Sequence, residues 1–342
     1  RLYCCYNFSM DNFSRKYKLY KNYGSNIYYY WFNYFSILCE NPLIMSRWVL
    51  IGGAGLTGLK IAEELIEMNI SKSNIIIADL KNSLSKINLQ VALIECDISK
   101  NIIPKFKKDD VIIHLAARQY HTKIPKRNQL DWFREVNVVG TKNIINQCIK
   151  FNVKGLIYFS TDMVYGIPNY IPLNSAHPKT PIGPYGKSKL EAEMICIESR
   201  KRGLPITILR PRLIMGKGRL GIMEKLFKAI SLNRPVPLIG RGNNCYQMVS
   251  VEDCSKAAIL SVKYNFPNCE LNLGSEVGPN IKKLLNFLIH TVNSKSILIP
   301  LPAFPLKIIL TILEKMGLPI LHKEQYKIAD KNYIVDISDT YS

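Results

Sequence analysis

Short apolar runs of three to five residues, each bounded by turn residues, recur along the chain from Met45 onwards. Trp48-Val-Leu-Ile51 ends in glycines and reads as a parallel strand buried on both faces. The runs at 75–78, 91–94, 111–113, 156–159 and 206–209 repeat that pattern. Between them, apolar residues fall at helical spacing over 59–69, 131–151 and 185–202. Strands alternating with helices predict an α/β fold, built from βαβ units around a doubly wound parallel sheet.

The rhythm changes after about Arg212, where Pro235, Pro237, Gly240 and Gly242 crowd the chain. Residues 45–212 are therefore expected to form one domain built around the sheet. Residues 213–342 are expected to form mainly a smaller C-terminal substrate-binding lobe, with 246–274 returning to the sheet. The stretch 297–321 is apolar but broken by Pro300, Pro302, Pro305, Lys307, Glu314 and Lys315. It predicts a packed amphipathic helix, not a membrane span. Val335-Asp-Ile-Ser338 reads as a late strand. Residues 1–44 are crowded with Tyr, Asn and Phe without a sustained period, and are read as an irregular, dispensable extension outside the native domain. Their apolar run at 27–38 is shorter than the ~20 residues a spanning helix needs.

Composition narrows the class without naming a function. With 342 residues, 47% hydrophobic and 21% charged, the chain can bury a sizeable core, which excludes general disorder. Nine cysteines, an odd count with no CxxC pair, argue against a disulfide framework or a metal site and for a reducing cytoplasm. The net charge of +20 raises nucleic acid or an anionic surface as partners. Its basic residues are scattered, which fits compositional bias better, so no stable nucleic-acid or membrane partner is expected.

Candidate chemistry begins at Gly52-Gly-Ala-Gly55-Leu-Thr-Gly58, which follows the first strand and opens a helix. Glycines there allow a tight turn and close backbone approach to a pyrophosphate, while the helix N-terminus offers N–H groups, here from Leu56, Thr57 and Gly58. Asp79 ends the second strand 21 residues after Gly58, where a carboxylate accepts both ribose hydroxyls of NAD and repels a 2′-phosphate. Together these features predict a Rossmann-type sheet with NAD as cofactor. Asp97 and Ile98 end the third strand, where an acid can meet the adenine amino group or simply face solvent. In His114-Leu115-Ala116-Ala117 the small residues would let the backbone lie against the cofactor, and His114 reads as a packed histidine.

Tyr185-Gly-Lys-Ser-Lys189 places a phenol and an ammonium on one face of a helix. An adjacent ammonium favours phenolate, which turns a poor base into a usable one, and the same group can reach the nicotinamide ribose. Ser160-Thr161-Asp162 closes the fifth strand, where a hydroxyl can hold the substrate oxygen beside the tyrosine.

With these segments the chain resembles the extended short-chain dehydrogenase/reductases, the NAD-dependent epimerase/dehydratase branch, from about Met45 to Ser338. The resemblance also rests on Asn137-Val-Val-Gly-Thr141, Ser160-Thr-Asp-Met-Val-Tyr-Gly166 and Val251-Glu-Asp253. It implies Tyr185 as acid/base, Lys189 as its partner and Thr161 as the catalytic hydroxyl. It further implies Asn137 as the helix asparagine behind a water relay at the cofactor, and Arg210-Pro211 as the lead into the substrate loop. Thr161, Asp162, Arg212 and Arg219 would contact substrate. The implied partner is a small molecule, a sugar or sugar nucleotide, and a homodimer is an option. By the same resemblance the chain is expected to stop before the family's usual last helix.

Two departures qualify this. Met163 replaces the glutamate of sugar 4,6-dehydratases, which disfavours dehydration, and Tyr246 stands where an arginine would clamp a phosphate. Arg219 and Arg241 are the basic residues able to substitute. The leading expectation is an NAD-dependent epimerase or oxidoreductase of a sugar, with a nucleotide sugar favoured. A hydroxysteroid- or dihydroflavonol-type dehydrogenase, needing no phosphate clamp, is the alternative. A non-catalytic nucleotide-sensing or RNA-binding scaffold is a third reading.

Overall fold

Runs of Ile, Val and Leu with no polar alternation become strands covered on both faces. In the computed structural model the described residues are Leu43, 45–120, 124–217, 223–276 and 278–341. Arg219 and the run at 27–38 lie outside them. The chain divides into two compact units, Arg1–Met45 and Ser46–Ser342, and the second carries the central sheet with its helices.

In chain order the first part contains β1 (Trp48–Ile51), α1 (Leu56–Glu67), β2 (Ile75–Asp79), β3 (Ala92–Glu95) and β4 (Val111–His114). It continues with α2 (Gln129–Arg134), α3 (Thr141–Lys150), β5 (Gly155–Phe159), α4 (Pro184–Arg200) and β6 (Ile206–Pro211). The later part holds β7 (Leu213–Met215), α5 (Glu224–Ser231), β8 (Val236–Ile239), β9 (Met248–Ser250), α6 (Val251–Lys263) and β10 (Glu270–Leu273). Last come α7 (Ile281–Thr291), β11 (Leu298–Leu301), α8 (Ala303–Lys315) and α9 (Lys323–Tyr326).

Seven strands form one parallel sheet in the order β10-β6-β5-β4-β1-β2-β3. The strand order reverses between β1 and β4, and at that switch point the carboxyl ends open a crevice for a ligand. Register keeps those ends level: Ile51 pairs with both Ala78 and His114, and Phe159 pairs with Leu209. Val49, Ile51, Ile112, Leu156, Tyr158 and Ile206 on one face pack with Ile144, Cys148, Ala192 and Cys196 from the helices.

Several elements differ from the sequence expectation. The first helix begins at Leu56, directly after the glycine turn, and ends at Glu67, because Asn69 takes a positive φ of 61°. The strand expected over 91–94 is β3, at the sheet edge, with all four residues exposed. The helix expected over 131–151 runs from Gln129 to Lys150 but loosens into a π segment over Glu135–Gly140. The stretch 297–321 is not one helix. Pro300 and Pro302 divide it into β11, paired with β8, and α8, in which only Leu310 is fully buried. Val335 makes a single bridge to Leu173, and Ser338–Tyr341 is a helical turn, so no late strand forms. Among the described residues no helix is long and apolar enough to cross a membrane.

Candidate active site

The glycine turn is built so that only glycine fits at two of its positions. Gly52 has φ +76°, and a Cβ there would lie 2.4 Å from the Ala116 nitrogen. That absence lets the segment after β4 lie against the turn, with the Leu115 and Ala116 N–H groups donating to the Ile51 carbonyl at 2.8 and 3.0 Å. A Cβ on Gly58 would sit 2.5 Å from the Gly53 Cα, so the last glycine sets how closely α1 packs. At Gly55 a Cβ would meet only the Gly52 carbonyl oxygen, at 3.6 Å. The protein thus leaves open space at that residue, next to Leu56 and Thr57, which begin a helix with no side-chain cap of its own.

Asp79 locks onto the turn, its Oδ2 accepting the Ala54 N–H at 3.0 Å and its Oδ1 the Leu80 N–H at 2.7 Å. Asp97 caps a short turn over Ile98–Lys100. It accepts from the Ser99 hydroxyl at 2.6 Å and the Ser99 N–H at 3.1 Å, and it pairs with Lys100 at 3.4 Å. The Ser99 hydroxyl chiefly holds its carboxyl below the usual range. Ile98 is buried against Gly140, where a Cβ would lie 2.5 Å from its Cγ1. The open cradle at Gly55, the carboxylate at the end of β2 and the half-buried Leu115, Ala116 and Ala117 fit a dinucleotide along the carboxyl edge.

The second group lies across the edges of β4 and β5. Lys189, on α4 one turn beyond Tyr185, is 1% exposed. Its Nζ donates to the Phe159 carbonyl at 2.7 Å and sits 4.2 Å over the Tyr158 ring. Burial pulls its pKa down to about 7, while Cys196 and Glu193 work in the opposite direction. His114 is fully buried, 2.9 Å from the Thr141 hydroxyl, and burial followed by Lys189 drops its pKa to about 3, so it is a neutral packed ring.

Thr161, two residues beyond Phe159, caps the turn Asp162–Val164. Its Oγ1 accepts the Met163 N–H and donates to Asp162 Oδ1, each at 3.2 Å. Asp162 Oδ2 in turn accepts from Arg212 Nη1 at 2.6 Å, and both side chains are buried. The Arg212 guanidinium lies between the rings of Tyr246 at 4.0 Å and Tyr333 at 4.2 Å. Tyr246 thus faces Arg212, in the place where the resemblance puts a phosphate-clamping arginine. Arg241 is exposed. Asn137, in the π segment, spends its amide on protein. It accepts the Arg118 N–H at 2.8 Å and donates to Ser188 Oγ at 2.9 Å and the Arg118 carbonyl at 3.2 Å. It staples the loop after β4 to α4.

Two features have no counterpart in the sequence reading. The first is a buried ion pair in which Arg210 Nε and Nη2 donate to the two Glu193 oxygens at 2.9 and 2.7 Å. Arg210 Nη1 also donates to the Tyr165 hydroxyl at 3.0 Å, and that hydroxyl donates to Asn272 Oδ1 at 2.7 Å. The second is Glu324, buried at the start of α4. Arg210 carried a visible signal, a charged residue inside an apolar run. Glu324 carried none, because its partners are remote in sequence.

Comparison with known proteins finds chains of similar sequence and similar fold. Residues 48–274 match the NAD dependent epimerase/dehydratase family. The chain is 30% identical over 259 residues to an assigned UDP-glucose 4-epimerase of Methanocaldococcus jannaschii, spanning 71% of this chain and 82% of that protein. It is 27% identical over 269 residues to the mouse dTDP-D-glucose 4,6-dehydratase, covering 73% of this chain and 75% of the other. The crystal structure of a Thermotoga maritima UDP-glucose 4-epimerase with UDP-glucose superposes with a TM-score of 0.66 at 21% identity, over 86% of this chain and 90% of that one.

Proposed function

Because this chain belongs to the NAD-dependent epimerase/dehydratase family, we propose that it epimerises a nucleotide-linked sugar, with Tyr185, Lys189 and Thr161 as its acid-base set. Gly52, Gly55, Leu56, Thr57, Gly58, Asp79, Asp97, Ile98 and the 115–117 segment would hold the cofactor along residues 45–212. The lobe over 213–342, with 246–274 returning to the sheet, would hold the substrate. We place the enzyme in the cytoplasm. NAD, when bound, supplies a hydride acceptor and donor.

The observation that carries this reading is the convergence of Lys189 on the end of β5. Its bond to the Phe159 carbonyl brings the ammonium to the strand end that continues into Thr161. Tyr185 takes the proton of a sugar hydroxyl, Thr161 holds that oxygen, and the nearby ammonium favours the phenolate. Tyr185 returns the proton when the opposite face of the carbon is rebuilt. In the assay, purified protein with NAD and UDP-glucose yields UDP-galactose without net accumulation of NADH. Accumulating NADH, or no conversion of any nucleotide sugar, overturns the reading.

One observation favours a second reading. A cavity of about 360 Å³ in the lobe is lined by Leu238, Ile239, Tyr246, Leu306, Leu310 and Ile320, an apolar setting for a hydroxysteroid-type substrate. Net NADH formation from a hydroxysteroid, with none from sugars, selects it.

Two results test the residue assignments. Asp79→Ala should shrink a preference for NAD over NADP of at least about tenfold, read by titrating both cofactors, since the carboxylate that repels a 2′-phosphate is gone. Equal affinities in the unmodified protein would remove the argument. Lys189→Met should weaken NAD binding yet raise the Tm of the cofactor-free protein by a few degrees near neutral pH. The sign is set by linkage. Its folded pKa of about 7 lies below the ordinary lysine value, so burying the ammonium costs most below pH 7, and the cost fades as pH rises towards ten. The gain should therefore shrink in alkaline buffer.

A further inference from the structure

Glu324 is a buried carboxyl for which the chemistry above has no use. It lies in α9, 138 residues beyond Gly186, and is 1% exposed. Its Oε2 accepts the Gly186 N–H at 3.1 Å, and its Oε1 accepts the Tyr120 hydroxyl. The glycines on either side of Pro184-Tyr185 make room for it. A Cβ on Gly183 would lie 2.8 Å from the Glu324 carboxyl carbon, and one on Gly186 would lie 3.0 Å from Oε2. Gly183 ends the extended approach to α4 and has no side chain to cap the helix. The turn that carries Tyr185 therefore takes its acceptor from the C-terminal segment.

The same segment reaches Tyr185 by a second route. His322 stacks on Tyr120 with centroids 4.1 Å apart and planes 21° apart. Tyr120 meets Tyr185 edge-on at 5.9 Å, and Phe133 flanks Tyr185 at 5.9 Å. One short stretch thus grips the backbone beneath the phenol and the ring beside it.

We propose that Glu324 is a positioning residue for Tyr185, clamping the first turn of α4 and the Tyr120 ring so that the phenol is held at the strand end bearing Thr161. The proposal rests on the acid-base reading of Tyr185. The charged and titratable groups around the clamp are Tyr120 against the carboxyl, Asp162 from the end of β5, and Glu314 with His322 on the far side of Tyr120. Lys189 lies one turn along from Tyr185. Burial lifts Glu324 to about 7, against the pull of its bonds to Tyr120 and Gly186. A raised carboxyl is ionised only above that value, so the carboxylate is present where a tyrosine titrates and opposes the phenolate as a like charge.

The experiment compares Glu324→Gln, which keeps an acceptor for the Gly186 N–H but loses the charge, with Tyr120→Phe, which removes one arm of the clamp. Turnover is measured on the nucleotide sugar. The Tyr185 phenol is titrated by phenolate absorbance, with Tyr185→Phe as the blank. In Glu324→Gln, kcat should fall roughly tenfold while NAD affinity and KM stay within about twofold. The Tyr185 midpoint should drop by about half a unit or more as the like charge disappears. Tyr120→Phe should give a smaller fall in kcat, with the midpoint little changed. An unchanged kcat and midpoint in Glu324→Gln overturns the proposal, as does a loss of NAD affinity equal to the loss of kcat. Should Tyr185→Phe keep near-normal turnover, the acid-base reading fails instead, and the phenol titration still decides whether Glu324 holds that tyrosine.

Discussion

Tyr185→Phe is expected to lower turnover by about 10²–10⁴, the usual span for a lost acid/base, while NAD binding and Tm stay near those of the unmodified protein. The substitution removes one oxygen and keeps the ring against Tyr120 and Phe133, so packing is spared. Thr161→Val should show the same pattern to a lesser degree. Its hydroxyl also caps the turn over Asp162–Val164, so a modest loss of stability accompanies the loss of rate. Steady-state kinetics beside a cofactor titration separates the two effects. Near-normal turnover in Tyr185→Phe would remove the catalytic assignment.

Arg210→Met should have the largest effect on stability. Arg210 and Glu193 are both fully buried, and two charge-assisted hydrogen bonds join them. Removing the guanidinium leaves a carboxylate inside the sheet-helix layer without its hydrogen-bonded counter-charge, which costs about 3–5 kcal/mol. For a chain of this size that lowers Tm by roughly ten degrees. The double replacement Arg210→Met with Glu193→Leu should recover most of the loss, because it deletes both charges together. Thermal unfolding of the single and double variants checks this. Equal destabilisation in both would show that the pair contributes through shape alone.

Six of the seven strands of the sheet were legible because each falls on a short aliphatic run between turn signals, whereas β10, Glu-Leu-Asn-Leu, carries no such run. The strand-end groups were legible for a related reason: in a doubly wound sheet every functional loop follows the carboxyl end of a strand. Gly52, Asp79, Asp97 and Thr161 could all be placed from such local context, and Lys189 from its spacing to Tyr185 on one helix. What escaped the sequence was decided between distant segments. Periodicity could not tell that β3 would sit at an exposed edge, or that two prolines would turn 297–321 into a strand and a helix. Arg212 shows the same limit. The resemblance implies that it contacts substrate, yet Asp162, Tyr246 and Tyr333, supplied by three different stretches, enclose its guanidinium.

The clamp on α4 also has a consequence in time. Tyr120 and Glu324 are separated by 204 residues, so on a translating ribosome adding about 5–20 residues per second the hydroxyl waits roughly ten to forty seconds for its acceptor. The glycine turn, Asp79 and the strands around them are complete long before that. A nascent chain therefore acquires the glycine turn and Asp79 while the first turn of α4 still lacks the Glu324 acceptor.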